Sequence, residues 1–415
     1  MAGPAGRKLA TSWLRDVDLS LVREQVGTPV FLYSERQLRR NVERIVDAAR
    51  AVGLAERVEL FVPFFPNSNP HVLRPLQEVG AGVLLQLPAE QEVLARFGFD
   101  KFIVSPGHLA DDEIAYWSRQ GCPTFLSSLG EVAFAIESGA PSISARIDIL
   151  ESGKPAIKLT ELSALAALLR GQGRGLDSFE VYCGTGNSPG TMIEVIETAF
   201  TILRSHFPAT KSVNFAGGQG FSYDEWEEER KHFAWDEYFR ALRAVADRMA
   251  VPPHVTFQFE PARDVLADAG ALLLGVKRDV IRSGDSVVVP TDGSRMLMPS
   301  AQIRRRQHRV VFLDSAMREL PGPAIGTAAL RGRSVLRNDY LFPGECPLPA
   351  GVGAGDHVLI LDVGAYCATQ HMEFLNVPPA AEVMIDCDGR GQLVTSHGDD
   401  LDKWRHLLPE PKSLG

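Results

Sequence analysis

The chain lacks the run of ~20 consecutive apolar residues needed to cross a bilayer, so its composition gives no reason to expect a membrane partner. Its five cysteines (Cys122, Cys183, Cys346, Cys367, Cys387) are odd in number, scattered and free of CxxC spacing. That pattern supports neither a disulfide framework nor a zinc-ligand set. No HExxH, GxSxG or P-loop sequence occurs, and the ten histidines are dispersed, so no metal site, serine hydrolase or nucleotide-binding loop is expected. Basic charge is also short. Lys and Arg number 43 against 52 Asp and Glu, a net charge of −9. Non-specific nucleic-acid binding draws its affinity from basic surface, so nucleic acid is not an expected partner, and Arg304-Arg305-Arg306 reads as a local feature. The first residues carry early charges (Arg7, Lys8, Arg15, Asp16, Asp18) and no signal-peptide core, which predicts a reducing, cytoplasmic setting.

What is present is a two-domain pattern. A length of 415 residues exceeds what a single core usually organises, and 45% hydrophobic with 23% charged residues is ordinary for globular protein. Residues 1–33 form a lead-in ending in a short strand at Thr28–Tyr33. Ser34 then caps a helix through Ala51, with Leu38, Val42, Ile45 and Val46 on one face. From Val58, apolar runs recur at Val58–Phe64, Gly82–Leu87, Lys101–Ser105, Pro123–Ser127, Ser142–Ile149, Ser178–Gly184, Ser212–Gly217 and His254–Glu260. Segments of helical period lie between most of them, as at Asp111–Arg119, Thr191–His206 and Trp235–Met249. Eight such alternations predict an α/β fold, a (β/α)8 TIM barrel over residues 34–273; an open doubly wound sheet is the competing pattern, which the count disfavours. After Ala271 the texture changes to short β-type runs (Val287–Pro290, His308–Leu313, His357–Asp362, Glu382–Cys387) broken by Gly and Pro. A C-terminal β-barrel or sandwich domain is expected over residues 274–415.

Functional groups of such a barrel gather at the C-terminal ends of its strands. The stretch Phe61-Val-Pro-Phe-Phe-Pro-Asn-Ser-Asn-Pro70 reads as strand, sharp turn and helix start, with Asn67, Ser68 and Asn69 as N-cap types and Pro70 suited to the first helical position. Ala216-Gly-Gly-Gln-Gly220 follows the seventh strand, where glycines let backbone N–H groups approach an anion. Glu260-Pro-Ala-Arg263 follows the eighth. Arg146 lies on the fifth strand, Tyr182 ends the sixth, and Asp362-Val-Gly-Ala-Tyr366 lies in the β-domain. Plainer readings stand beside these: a turn for the glycines, a rim ion pair for Glu260 and Arg263, a strand tyrosine for Tyr366.

These segments resemble, over nearly the whole chain, the fold-type III pyridoxal phosphate decarboxylases, the diaminopimelate, ornithine and arginine decarboxylase family. The resemblance implies an alanine racemase-like barrel, a β-domain that the N-terminal strand joins, and a homodimer. It further implies that Gly217, Gly218, Gly220, Arg263 and Tyr366 hold a cofactor phosphate, that Glu260 pairs with the pyridinium nitrogen, and that Arg146 lies close to the cofactor. Departures fall at reactive positions. Phe65 stands where the family carries its Schiff-base lysine, Tyr182 where a histidine stacks on the ring, and Leu84 where an aspartate lies near the cofactor. Leu330 and Arg331 replace a cysteine and acid that cross the dimer interface, and Met298 replaces an arginine for the substrate carboxylate. Phe65, Leu84, Met298, Leu330 and Arg331 would thus line an altered substrate pocket. Lys158-Leu159 aligns with an interface lysine-phenylalanine pair, so a structural role is expected of Lys158, and no swing of Lys154 or Lys158 to the cofactor.

Groups that hold a phosphate persist, whereas those that make and break bonds do not. The resemblance therefore implies a divergent lyase of small-molecule biosynthesis acting on an amino-acid-like carboxylate. Pyridoxal 5'-phosphate, or another phosphate-bearing ligand, would be held non-covalently. Glu260, Tyr182 and His371 are the candidate acids and bases. Two alternatives stay open: a catalytically inactive paralogue acting by protein association, and cofactor-independent chemistry in the former cofactor pocket.

Overall fold

The computed structural model describes residues 12–150 and 153–398, without the side chains of 228 and 229. Residues 1–11 of the expected lead-in and 399–415 of the expected β-domain lie outside the described residues. The chain divides into two compact units, one from Leu38 to Leu266 and one built from the residues before and after it.

In the first unit eight strands alternate with helices: β1 (Val58–Pro63), β2 (Gly82–Leu85), β3 (Phe102–Val104), β4 (Phe125–Leu126), β5 (Ser144–Asp148), β6 (Ser178–Val181), β7 (Ser212–Asn214) and β8 (Thr256–Phe259). All pair in parallel, in the order β3-β2-β1-β8-β7-β6-β5-β4. A parallel bridge from Val104 to Thr124, with Val104 N donating to Pro123 O at 2.8 Å, closes β3 on β4. The eight predicted strands are all present, and the fold is a TIM barrel.

Side chains on a strand alternate between faces, and here the two faces differ in chemistry. The outward phase of β7 and β8 supplies Phe215, Phe257 and Phe259. Phe259 meets Trp235 edge-on at 5.4 Å, and Phe257 packs on Phe200 at 5.7 Å. The helices Pro189–His206 and Trp235–Arg248 are held to the sheet by these fully buried rings. The inward phase is split. Phe61, Leu84, Ile103 and Phe125 of β1 to β4 form one apolar cluster. Gly82 makes room for it, since an added Cβ would lie 2.5 Å from the Phe61 ring. The inward residues of β5 to β8 are polar: Ser144, Arg146, Ser178, Glu180, Ser212, Asn214 and Gln258 are all buried. Such a half-polar barrel core is stable only if its groups pair with one another.

Local signals placed the first helix as expected. Asn69 Oδ1 accepts from His71 N at 3.0 Å to cap the helix Pro70–Glu78, with Pro70 at its start. Ser34 Oγ likewise accepts from Gln37 N at the head of the helix Glu35–Ala51.

The second unit holds a six-stranded sheet in the order Val310–Leu313, His357–Leu361, Gly270–Gly275, Val30–Ser34, Ala381–Ile385, Gly391–Thr395. A four-stranded sheet orders Ile281–Ser283, Ser286–Pro290, Ala324–Arg331 and Cys346–Pro349. Val30–Ser34 runs antiparallel to Gly270–Gly275 and parallel to Ala381–Ile385, so the N-terminal strand does join this unit. Its core is Val30, Leu32, Leu273, Val311, Leu359 and Val383 with their neighbours. The barrel ends before the expected 273, because Gly270–Gly275 is a central strand of this sheet. Gly270 approaches Gly364 so closely that a Cβ would lie 2.4 Å from its backbone. Arg309 binds Asp362 through Nε at 2.8 Å and Nη2 at 2.6 Å, a buried bidentate pair.

Just after β8, the buried Asp264 ties the barrel's last turn to its helices. Its carboxylate accepts from Trp235 Nε1 at 2.7 Å, Arg44 Nη2 at 2.7 Å and Phe233 N at 2.9 Å, with His232 Nδ1 at 3.0 Å. Burial alone would raise its pKa, but the His232 hydrogen bond and the Arg44 charge outweigh it and hold the pKa below the ordinary value of 3.8. Asp264→Asn presents an amide N–H to these donors and leaves Arg44 without its counter-charge. We expect a loss of about 3 kcal/mol in urea unfolding at neutral pH. A depressed pKa contributes stability above the unfolded value that is lost as pH falls through the folded one. The gap between variant and wild type should therefore narrow below about pH 4, and an equal gap at all pH values would contradict it.

Candidate active site

Four side chains from the polar strands, with Ser105 beside them, lie near the strands' C-terminal ends. Arg146 on β5 donates from Nε to Glu180 Oε1 on β6 at 2.9 Å, and from Nη1 to Pro106 O at 2.7 Å and Pro155 O at 3.1 Å. Ser105, just past β3, hydrogen-bonds both Arg146 Nη2 and Glu180 Oε2. On the adjacent strands, Asn214 Nδ2 donates to Glu260 Oε1 at 2.8 Å. Burial works against the charge of Arg146, yet Glu180, followed by Glu260 and Glu131, holds the guanidinium pKa above its usual value. Glu260 moves the other way. Burial first, and the neighbouring Glu180 second, push its pKa well above 4.5, against the Asn214 hydrogen bond and the Arg146 charge. One guanidinium serves two buried carboxyls; Glu180 takes it, and Glu260 keeps its proton to a higher pH.

Over this cluster lies the loop that follows β5. Lys154 Nζ sits 3.3 Å from the ring centroid of Tyr182, which extends the inward phase of Ser178 and Glu180. Burial and the Arg146 charge lower the amine's pKa, while Glu180 and Glu260 pull it upward. A half-buried amine at this mouth was not an expectation from sequence.

The glycine loop packs on the loop after β6. Asn187 N donates to Gly218 O at 2.8 Å and Gly220 N to Asn187 O at 2.9 Å, forming a short parallel bridge. Gly218 has φ +99°, and a Cβ there would lie 2.1 Å from Gly184 O; at Gly220 it would lie 2.8 Å from Asn187 O, and at Gly217 2.7 Å from Glu260 O. Packing between backbones therefore demands these glycines. Among the described residues, the N–H groups of Gly217 and Gly218 make no hydrogen bond. Gln219 Oε1 is buried without a partner. Arg263 Nη1 donates to Thr185 Oγ1 at 3.0 Å, which lays the guanidinium over the same loop.

The barrel unit thus brings together Arg146, Tyr182, Gly217, Gly218, Gly220, Glu260 and Arg263. Phe65, just past β1, is 39% exposed, and Leu84 is buried in the apolar half of the barrel. The remaining candidates belong to the second unit. Tyr366 is half-buried with φ +61°. His371 has Nε2 2.9 Å from Val377 O, and burial lowers its pKa. Met298 and Leu330 are buried in their own unit. Arg331 donates to Arg337 O at 2.6 Å and Leu336 O at 2.7 Å, so its cation is engaged by its own loop. Sequence reasoning missed Glu180 and Asn214, and it marked Ser105 only as a strand end. A signal existed for Glu180: it lies in the same phase as Ser178 and Tyr182 of a buried parallel strand, where a charged residue needs a partner.

Glu260→Gln keeps the acceptor for Asn214 and removes the ionisable group. A raised folded pKa gives stability that is full below the unfolded value and is lost as pH rises towards the folded one. The variant should therefore match wild type near pH 4 and gain on it above about pH 4.5, by up to ~1.4 kcal/mol per pH unit. Thermal unfolding across pH measures this, and a constant difference would contradict the assignment.

No protein-family model matches the chain. It is 22% identical over 388 residues to the diaminopimelate decarboxylase of Methanothermobacter thermautotrophicus, covering 87% of each protein. It is 25% identical over 400 residues to that of Streptomyces coelicolor, covering 89% of this chain and 87% of the relative. In fold it matches the crystal structure of diaminopimelate decarboxylase from M. jannaschii in co-complex with L-lysine, with a TM-score of 0.81, 16% identity and 94% of each chain covered. In sequence over most of its length the chain is similar to diaminopimelate decarboxylases, the group within the fold-type III pyridoxal phosphate decarboxylases that its motifs resemble, and it shares their fold.

Proposed function

We propose that this chain is a divergent decarboxylase-family lyase of small-molecule biosynthesis. It acts on an amino-acid-like carboxylate, with pyridoxal 5'-phosphate or another phosphate-bearing ligand taken up non-covalently. The observation that carries this reading is the pairing of an anion-accepting rim with a proton-holding floor. At the rim, the N–H groups of Gly217 and Gly218 follow β7 without a hydrogen bond among the described residues, and Arg263 follows β8, the two loops on which barrels commonly receive phosphate. Below it, Glu260 is buried and keeps its proton well above the ordinary range.

These residues fit pyridoxal phosphate in kind. Gly217, Gly218, Arg263 and the Thr185 hydroxyl would hold the phosphate, and Asn214 fixes one oxygen of Glu260 while the other can share a proton with the ring nitrogen. When bound, the cofactor supplies an electron sink for the bond to a departing carboxylate. Phe65 carries no amine, so nothing at that position anchors the ligand covalently. The apolar half of the barrel, with Leu84 and Phe61, suits a substrate more apolar than diaminopimelate or ornithine. A homodimer in a reducing compartment completes the proposal, on the resemblance to the family and the odd, scattered cysteines of the sequence.

Arg263→Ala should weaken binding of pyridoxal 5'-phosphate, followed by spectroscopic titration, by about 10- to 100-fold, the worth of one charge-assisted hydrogen bond. Inorganic phosphate should compete in the wild type. An unchanged Kd would overturn the rim assignment. Absence of saturable binding in wild type would favour the association-only reading.

A further inference from the structure

The amine that Phe65 cannot provide has a counterpart elsewhere in the barrel. Lys154 follows β5, at the C-terminal end where the polar strands open, and its Nζ lies 3.3 Å from the Tyr182 ring centroid. The charges it feels are those of Arg146, Glu180 and Glu260, the same groups that form the floor of the site. Lys101 and Lys211 precede β3 and β7 and so sit at the opposite ends of the strands, where Lys101 Nζ donates to Gly80 O and Lys211 Nζ to Asp177 Oδ1. Lys158 is exposed on the short strand Ile157–Lys158 that pairs in parallel with the end of β5.

The geometry points to Lys154 as the amine of this site: it takes an aldehyde-bearing phosphate ligand, of which pyridoxal 5'-phosphate is the type, from non-covalent uptake into a reversible carbon–nitrogen double bond. The proposal rests on the reading above that such a ligand enters at the rim of Gly217, Gly218 and Arg263. The step balances without a co-reactant. The neutral Nζ adds to the aldehyde carbon, the carbonyl oxygen leaves as water with both amine protons, and hydrolysis or exchange with a substrate amine reverses it.

Three features suit Lys154 to the step. Its partial burial and the nearby Arg146 favour the neutral amine, the nucleophilic form. The Tyr182 ring receives the ammonium form on its π face, which fixes where the nitrogen sits. Glu260, which retains its proton in the same cluster, is an acid within electrostatic reach for the departing oxygen. Tyr182 is thereby a positioning residue. Its change from the family's ring-stacking histidine and the loss of the lysine at position 65 become two sides of one relocation.

The test uses the full chain, incubated with pyridoxal 5'-phosphate and reduced with borohydride, then read by intact mass and peptide mapping. One adduct per chain, on Lys154, is the expected result. Lys154→Arg keeps the cation on the Tyr182 ring and should lose the adduct while keeping saturable binding and the melting temperature. Arg263→Ala should lower both binding and trapping. An adduct on a different lysine, or saturable binding without any adduct, would overturn the role of Lys154 and leave the rim intact. No saturable binding in wild type would remove the rim and Lys154 together.

Discussion

Two carboxyls and one guanidinium are buried together in the polar half of the barrel, and the remaining features of the site follow from that imbalance. A buried charge persists only when paired and hydrogen-bonded. Arg146 is saturated by Glu180, Ser105 and two backbone carbonyls, leaving no donor of equal strength for Glu260. Glu260 has instead the neutral amide of Asn214, which orients a protonated acid as well as a carboxylate. A nearby cation restores part of the balance: the Lys154 ammonium lowers the cost of ionising Glu260, so the protonation of the two groups is linked.

The rim obeys a different constraint. The glycines after β7 are required because the loop runs against the backbone of residues 184–187, with no room for a Cβ at Gly217, Gly218 or Gly220. Two of the loop's polar groups are then spent on Asn187. The Gly217 and Gly218 N–H groups make no hydrogen bond among the described residues, and Arg263 reaches Thr185 of the neighbouring loop. Arg263 begins the short helix whose next residue is Asp264, so the network of Trp235, Arg44 and His232 fixes the helix that carries the guanidinium. A change at Asp264 reaches the rim through the backbone.

Much of this was legible in the chain. The eight barrel strands are short, mostly apolar segments in a buried parallel sheet, and their spacing identified them together with the helix start at Asn69-Pro70. The β-domain was less legible. Ala324–Arg331 is rich in Ala and Gly and largely exposed along its first half, so neither alternation nor an apolar run marks it. Gly270–Gly275 is apolar throughout, but nothing local tells a barrel strand from a central strand of the next unit. At the site, the glycine loop and Glu260-Pro-Ala-Arg263 stood out because each is a contiguous motif. Arg146 and Glu260 were named, but their pairings with Ser105, Glu180 and Asn214 run across five strands, and sequence periodicity gives the phase of each residue without its partner.

Lys154 shows where reasoning by position runs out. Aligned motifs identify a functional group by its place in the chain, and by that rule the amine of this site is gone, replaced by Phe65. Chemistry depends on where a nitrogen sits, and a long flexible side chain on the rim of a barrel can reach a mouth that several loops share. Moving the amine from a strand end to a loop removes the rigidity of the sheet, and some other contact must supply the placement. The Tyr182 ring, 3.3 Å from Nζ, is such a contact, and a histidine in its place would add a second titrating group beside the amine. The aromatic substitution and the relocated amine are therefore coupled physically: an exposed loop lysine is a surface charge, whereas one held on a ring over two carboxyls and an arginine has its protonation set by the site.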